Sequence, residues 1–200
     1  MEDKLVKIIE GALMSSSKPL GLNQLKSIFE ESARPETKEI RQALLSLQQH
    51  YAGRGVELVE VASGWRFQVP EDIATWVKRL WEEKPPRYSR ALLETMALIA
   101  YRQPITRGEI EDVRGVAVSS NIIRTLLERE WIRILGHKEV PGRPVMYGTT
   151  KTFLDDFNLK TLEQLPSLLE LKDLGYAENE IPAVTPQTPT AASAAKVNLH

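Results

Sequence analysis

Gln103-Pro104-Ile105-Thr106-Arg107-Gly108-Glu109-Ile110 is the stretch on which the reading of the fold turns. Proline lacks an N–H and has a fixed φ, so a helix running up to Gln103 cannot continue through it, and Gln103 is biased towards extended backbone. Thr106 and Glu109 then stand at the spacing of a capping box, where hydroxyl and carboxylate each satisfy an orphan N–H of a new helix. Losing such a cap usually costs about 1 kcal/mol. The stretch reads as helix, break, helix.

Working outward, Leu93, Met96, Ala97 and Ala100 give the preceding helix an apolar stripe, and Arg114-Gly115 closes the following one. Ser119 or Ser120 caps a third helix striped by Ile122, Ile123, Leu126 and Leu127 and ending at Glu130-Trp131. Ile132–Val140 and Val145–Thr149 flank the turn Pro141-Gly142-Arg143-Pro144 as two strands. Three helices followed by a hairpin is the winged-helix plan.

The first half carries the same pattern. Leu5, Ile8, Ile9, Ala12 and Leu13 mark a helix that stops at Lys18-Pro19-Leu20. From each proline, apolar residues recur one, six and nine positions on: Leu20, Leu25 and Ile28, then Ile105, Ile110 and Val113. Leu25, Ile28 and Phe29 mark a second helix. A third follows Pro35, which suits a first helical position, and carries Ile40, Ala43, Leu44, Leu47 and Tyr51 before Gly53 and Gly55 end it. Val56–Val61 and the alternation Trp65, Phe67, Val69 across the turn Ser63-Gly64 make a first wing.

The expected architecture is therefore mostly α with small β-hairpin wings, an α+β fold of two tandem winged-helix domains. Residues 1–84 form the first with a trailing helix over Asp72–Glu83, and residues 85–171 the second with a C-terminal helical extension. Lys84-Pro85-Pro86-Arg87 is the stiff break between them. Lys151–Leu171 reads as short helical pieces interrupted at Pro166. Residues 172–200, poor in groups to bury from Pro182 onward, are expected to be disordered.

Composition excludes several functions. The 200 residues carry a net charge of −1 and no cysteine, so there is no global basic footprint for nucleic acid and no thiolate or disulfide chemistry. No phosphate-loop, dinucleotide or nucleophile-elbow motif is present. His50, His137 and His200 have no metal-ligand spacing, and Glu109, Glu111 and Asp112 read as favourable charge at a helix N-terminus rather than a metal site. No apolar run approaches the ~20 residues that span a bilayer. The reading is a cytoplasmic, non-enzymatic protein without cofactor or metal.

The winged-helix plan invites a DNA-binding role through its third helices. In the first, however, Lys38 and Arg41 are offset by Glu36 and Glu39; in the second, Arg124 and Arg129 by Glu128 and Glu130. Neutral helices gain little from counterion release in a phosphate field. A transcriptional regulator is thus the alternative, ranked second, and a hydrolase with no nucleophile–base pair visible in sequence the third. Lys78, Arg79, Lys84, Arg87 and Arg90, interspersed with Glu82 and Glu83, read as a solvated hinge. Of Trp65, Trp76, Trp81 and Trp131, most should be core, and an exposed one would mark a partner surface.

The run Leu93-Glu94-Thr95-Met96-Ala97-Leu98-Ile99-Ala100-Tyr101-Arg102-Gln103-Pro104-Ile105-Thr106-Arg107 resembles the segregation and condensation protein B (ScpB) family. So do Glu109–Val116, Gly142-Arg143-Pro144, Tyr147-Gly148-Thr149-Thr150 and the segment from Phe153 to Pro166, while the first half fits more loosely; the resemblance spans about Leu5 to Leu168. Met96 stands where the family more often has leucine, and Asp156 where it often has an aromatic. The resemblance implies a homodimer formed mainly through the first domain, binding the kleisin ScpA and through it the Smc ATPase. DNA contact would be weak or indirect, and localisation cytoplasmic with attachment to the nucleoid. Arg102, Arg107, Arg114, Arg124, Arg143 and Tyr147, read as exposed, are the kleisin-contact candidates; Thr106 and Glu109 are the structural cap.

Overall fold

The computed structural model describes residues 2–80 and 88–166. These form two compact units, one before and one after residue 84. The expected break at Lys84–Arg87, Trp81 and the tail over 172–200 lie outside the described residues.

The first unit runs α1 (Glu2–Ser15), α2 (Leu22–Ser27), a 3-10 turn at Glu31–Ala33, α3 (Thr37–Tyr51), β1 (Glu57–Val61), β2 (Gly64–Gln68) and α4 (Glu71–Val77), which tightens into a 3-10 turn at Lys78–Leu80. Its core is Ile9, Leu13, Leu25, Ile40, Ala43, Leu44, Leu47, Leu58 and Trp65, drawn from the first three helices and both strands. The strands pair antiparallel from Glu57↔Gln68 to Val61↔Gly64. The residue after the first proline joins them. Leu20 and Trp65 exchange two backbone hydrogen bonds, each 2.9 Å.

The second unit runs α5 (Arg90–Arg102), β3 (Ile105–Thr106), α6 (Arg107–Arg114), α7 (Ser120–Glu128), β4 (Ile132–His137), β5 (Val145–Thr149), α8 (Lys151–Asp156) and a 3-10 turn at Leu162–Gln164. Its sheet has the order β3-β5-β4, with Ile105 opposite Tyr147 and Ile134 opposite Tyr147 on the other side. The proline registers therefore match in three dimensions. Leu20 and Ile105 each pair with the second strand of their own wing, a contact the residue pattern alone did not reveal.

Several local expectations change. The helix after Pro35 starts two residues later, because the Glu39 carboxylate accepts the Glu36 N–H at 2.7 Å and makes Glu36 the N-cap. Ile28 and Val113, expected on inner faces, are 48% and 45% exposed. Each second helix is so short that it buries one residue, Leu25 or Ile110. The core face of α5 is turned relative to the stripe read from sequence. Leu92, Thr95 and Ile99 are buried with Met96 and Ala100, whereas Leu93 and Ala97 are half-buried. Thr95 tolerates burial because its hydroxyl donates to the Ala91 carbonyl at 2.8 Å. Strand β4 ends at His137 rather than Val140, and residues 138–144 form the connection.

Gly148 lies where side chains from β4 and from the C-cap of α5 close over β5. A Cβ there would lie 2.6 Å from Leu135 Cδ1 and 2.8 Å from Gln103 Oε1. That same Gln103 oxygen accepts the Thr149 N–H at 2.7 Å, tying the end of α5 to β5. Gly148→Ala is expected to destabilise the chain by about 1–3 kcal/mol through overpacking, measurable as a lowered denaturant midpoint with unchanged slope.

Candidate protein-interaction surface

The capping box at the start of α6 is formed as the spacing requires. Thr106 Oγ1 accepts the Glu109 N–H at 3.3 Å, and Glu109 Oε2 accepts the Thr106 N–H at 2.8 Å. Glu109 also takes Lys138 Nζ from the wing connection at 2.5 Å. The Lys138 ammonium first, then the Thr106 N–H and hydroxyl, hold the Glu109 carboxyl down to about 2 from an ordinary 4.5. A depressed carboxyl contributes stability that is full above its unfolded value and is lost as pH falls. The contribution of Glu109 is thus present above pH 4.5 and disappears on acidification towards pH 2. Thr106→Ala removes a buried cap and should cost about 1–2 kcal/mol, while Thr106→Ser restores most of it; thermal melts of the pair read the difference.

The arginines singled out from sequence separate into two groups. Arg107 Nε donates to Glu111 at 3.0 Å and its guanidinium to Ser120 Oγ at 3.2 Å. Glu111 in turn accepts the Val118 N–H at 2.8 Å, and that bond, then Arg107, lowers its carboxyl below the ordinary range. Arg107 therefore clamps α6 to the start of α7. Arg114, expected to be exposed, has a side chain only 10% accessible and donates to Glu94 at 3.1 Å, joining α6 to α5. Glu94 is shared with Arg90 at 2.8 Å. Half-buried between two helices, Arg114 is structural.

Arg102, Arg124 and Arg143 remain on the surface. Arg102 ends α5 and is exposed. Arg124 lies on α7 between Asn121 at 2.6 Å and Glu128 at 3.8 Å. Arg143 caps the wing tip with φ +39° and an exposed ion pair to Glu139 at 3.2 Å. Tyr147 is half-buried in the middle of the wing sheet. The six candidates are thus not one patch: two brace helices, one lies within the sheet, and three face solvent.

The third helices present no basic stripe. Arg124 on α7 is offset by Glu128, and on α3 exposed Lys38 and Arg41 alternate with exposed Glu36 and Glu39. Among the described residues no group of three His, Asp or Glu side chains is placed to hold a metal, and no helix is long and apolar enough to cross a membrane. Trp65 and Trp131 are core, whereas Trp76 is 65% exposed on α4.

A family model described as segregation and condensation complex subunit ScpB matches residues 7–168. The chain belongs to the ScpB family. The segregation and condensation protein B homolog of Coxiella burnetii is 58% identical over 171 residues, covering 86% of this chain and 82% of that one. The protein of the same name from Syntrophotalea carbinolica is 41% identical over 173 residues, covering 86% and 85%. A solved ScpB from Mycobacterium tuberculosis is 30% identical, covers 80% of this chain and 98% of its own, and superposes with a TM-score of 0.37.

Within this ScpB-family chain, Asp156 makes a contact that sequence reasoning did not find. Asp156 Oδ2 accepts the indole N–H of Trp131 at 2.7 Å. Trp131 is fully buried against Tyr88 and Phe157, at ring separations of 5.1 and 5.5 Å, and a buried indole needs an acceptor. Asp156, at the end of α8, supplies that acceptor.

Proposed function

We propose that this chain is a non-enzymatic subunit of a chromosome-condensing complex, acting as a homodimer that binds the kleisin ScpA and through it the Smc ATPase. The observation that carries this reading is the match of residues 7–168 to a family described as a complex subunit. The structure is consistent with it in chemistry. Glu94, Arg107, Glu109, Glu111 and Arg114 of the second unit are engaged in caps and helix clamps, and the third helices carry balanced charge. Such surfaces suit protein contacts better than a phosphate backbone. The protein would stay in the cytoplasm and reach the nucleoid through its partners, with DNA contact weak or indirect.

Two measurements test the reading. Sedimentation equilibrium should give twice the 22.6 kDa chain mass; a monomer at micromolar concentration would overturn the dimer. Arg143→Glu should weaken ScpA binding about five- to tenfold while leaving the melting temperature unchanged, since an exposed ion pair contributes little to stability. Arg102→Glu and Arg124→Glu are the companion variants. Arg107→Glu, by contrast, should lower the melting temperature as well, because it breaks the clamp between α6 and α7.

A further inference from the structure

The wing of the second unit has an open edge. In the order β3-β5-β4, the outer side of β4 pairs with no strand among the described residues. The ladder fixes which backbone groups face outward. Thr150 N–H donates to the Trp131 carbonyl at 3.1 Å and Lys138 N–H to the Pro144 carbonyl at 2.9 Å. With Ile134 opposite Tyr147, His137 opposite Val145 and the extra residue of a bulge between them, the ladder turns the N–H and C=O groups of Ile134 and His137 away from β5. A bulge between Ile134 and Gly136 and the charges of Arg133 and Lys138 keep the edge from pairing indiscriminately. Here Ile134 is 54% exposed and Leu135 is exposed beside it.

The charge on this edge is one-sided. From Ile132 to Val145 the chain carries Arg133, Lys138 and Arg143 against Glu139 alone, in a protein whose overall charge is −1. Lys138 is satisfied by Glu109 and Arg143 by Glu139. Arg133 is exposed on β4, opposite Gly148, with no carboxylate of the described residues in ion-pair range. Adjacent strand positions face opposite sides of a sheet, so Arg133 and Ile134 offer a cation on one face and an apolar side chain on the other.

We infer that β4 is a docking strand, which an extended partner segment of alternating apolar and acidic residues joins by β-augmentation. Main-chain hydrogen bonds to Ile134 and His137 supply affinity, an apolar residue over Ile134 and Tyr147 and a carboxylate beside Arg133 supply selectivity. This deepens the partner-binding reading above and rests on it, with the segment belonging to the kleisin.

Residue-resolved amide exchange with and without purified ScpA tests the inference. Free protein should exchange quickly at Ile134 and His137, and saturation with ScpA should slow both at least about tenfold, as newly paired amides do. Arg133→Glu should weaken ScpA binding about five- to tenfold with no change in melting temperature. If ScpA binds and both amides exchange as before, the docking strand is overturned while the subunit reading stands. Protection that rises with protein concentration alone would assign the edge to a second copy and also overturn it. If ScpA does not bind at all, the subunit reading fails and takes this inference with it.

Discussion

A Gly64→Ala chain is expected to lose about 2–6 kcal/mol of the stability of its first unit. Gly64 opens β2 at φ +146°, a conformation that side chains with a Cβ rarely adopt. A Cβ there would sit 2.3 Å from both the carbonyl carbon and oxygen of Leu20 and 2.5 Å from the Gly21 nitrogen. These are backbone atoms, so no rotamer change relieves them. Relief would require separating Leu20 from Trp65, and with it the paired 2.9 Å hydrogen bonds that fasten the proline turn to the wing. Overpacking of about 1–3 kcal/mol and backbone strain of about 1–3 kcal/mol act together at this one position. Against a typical total stability of about 5–15 kcal/mol, that is enough to populate the unfolded unit. Gly11→Ala serves as control: it lies inside α1 with nothing within 4 Å of the added Cβ, and alanine should be neutral or stabilising by up to about 1 kcal/mol. Chemical denaturation of the two variants, followed by circular dichroism, separates them. Equal midpoints would show that the Leu20–Trp65 contact is dispensable.

The second large effect is expected at Trp131. Truncating a fully buried tryptophan to alanine costs about 3–5 kcal/mol through lost transfer energy and the cavity left behind. The site cannot easily collapse, because Trp131 is held at both ends. Its N–H donates to the Leu126 carbonyl at 3.0 Å, its carbonyl accepts from Thr150 at 3.1 Å, and Asp156 holds the ring at 2.7 Å. Asp156→Ala should cost about 1.5–3 kcal/mol, the range for a hydrogen bond to a charged group, whereas Asp156→Asn keeps an acceptor and should cost less. A double-mutant cycle over Trp131→Phe and Asp156→Ala isolates the indole–carboxylate bond. A coupling of zero would mean that the Asp156 carboxylate contributes nothing through Trp131.

Much of this architecture is legible in the chain because it rests on local rules. The proline after each first helix, the Thr106–Glu109 box, Gly115 in the left-handed region at φ +68° and the Gly142 turn at φ +83° are each decided within a few residues. The repeat of apolar positions after each proline identified Leu25 and Ile110, both fully buried. It failed at Ile28 and Val113, because periodicity gives the direction of a face but not its width, and these helices are too short to bury a second turn. The turned face of α5 has the same origin. Thr95 counts as polar in a pattern yet is buried once its hydroxyl bonds Ala91.

The surface was less readable. Arg114 and Arg124 have the same charge and both sit on helices, yet one is half-buried against Glu94 and the other faces solvent. Nothing local distinguishes them, since the partner of Arg114 lies on another helix twenty residues away. The Trp131–Asp156 bond spans twenty-five residues and could be found only by folding the chain. Arg133 escaped notice for a related reason: that no carboxylate of the described residues reaches it is a property of the fold, which a sequence cannot display.

The most direct measurement is a calorimetric titration of the purified protein with ScpA, with a random DNA duplex titrated in parallel at two salt concentrations. A subunit of the kind proposed gives saturable ScpA binding of fixed stoichiometry, and only weak, salt-sensitive DNA binding. No heat with ScpA together with tight, sequence-dependent DNA binding would contradict it, and would return the winged helices to the role of a regulator.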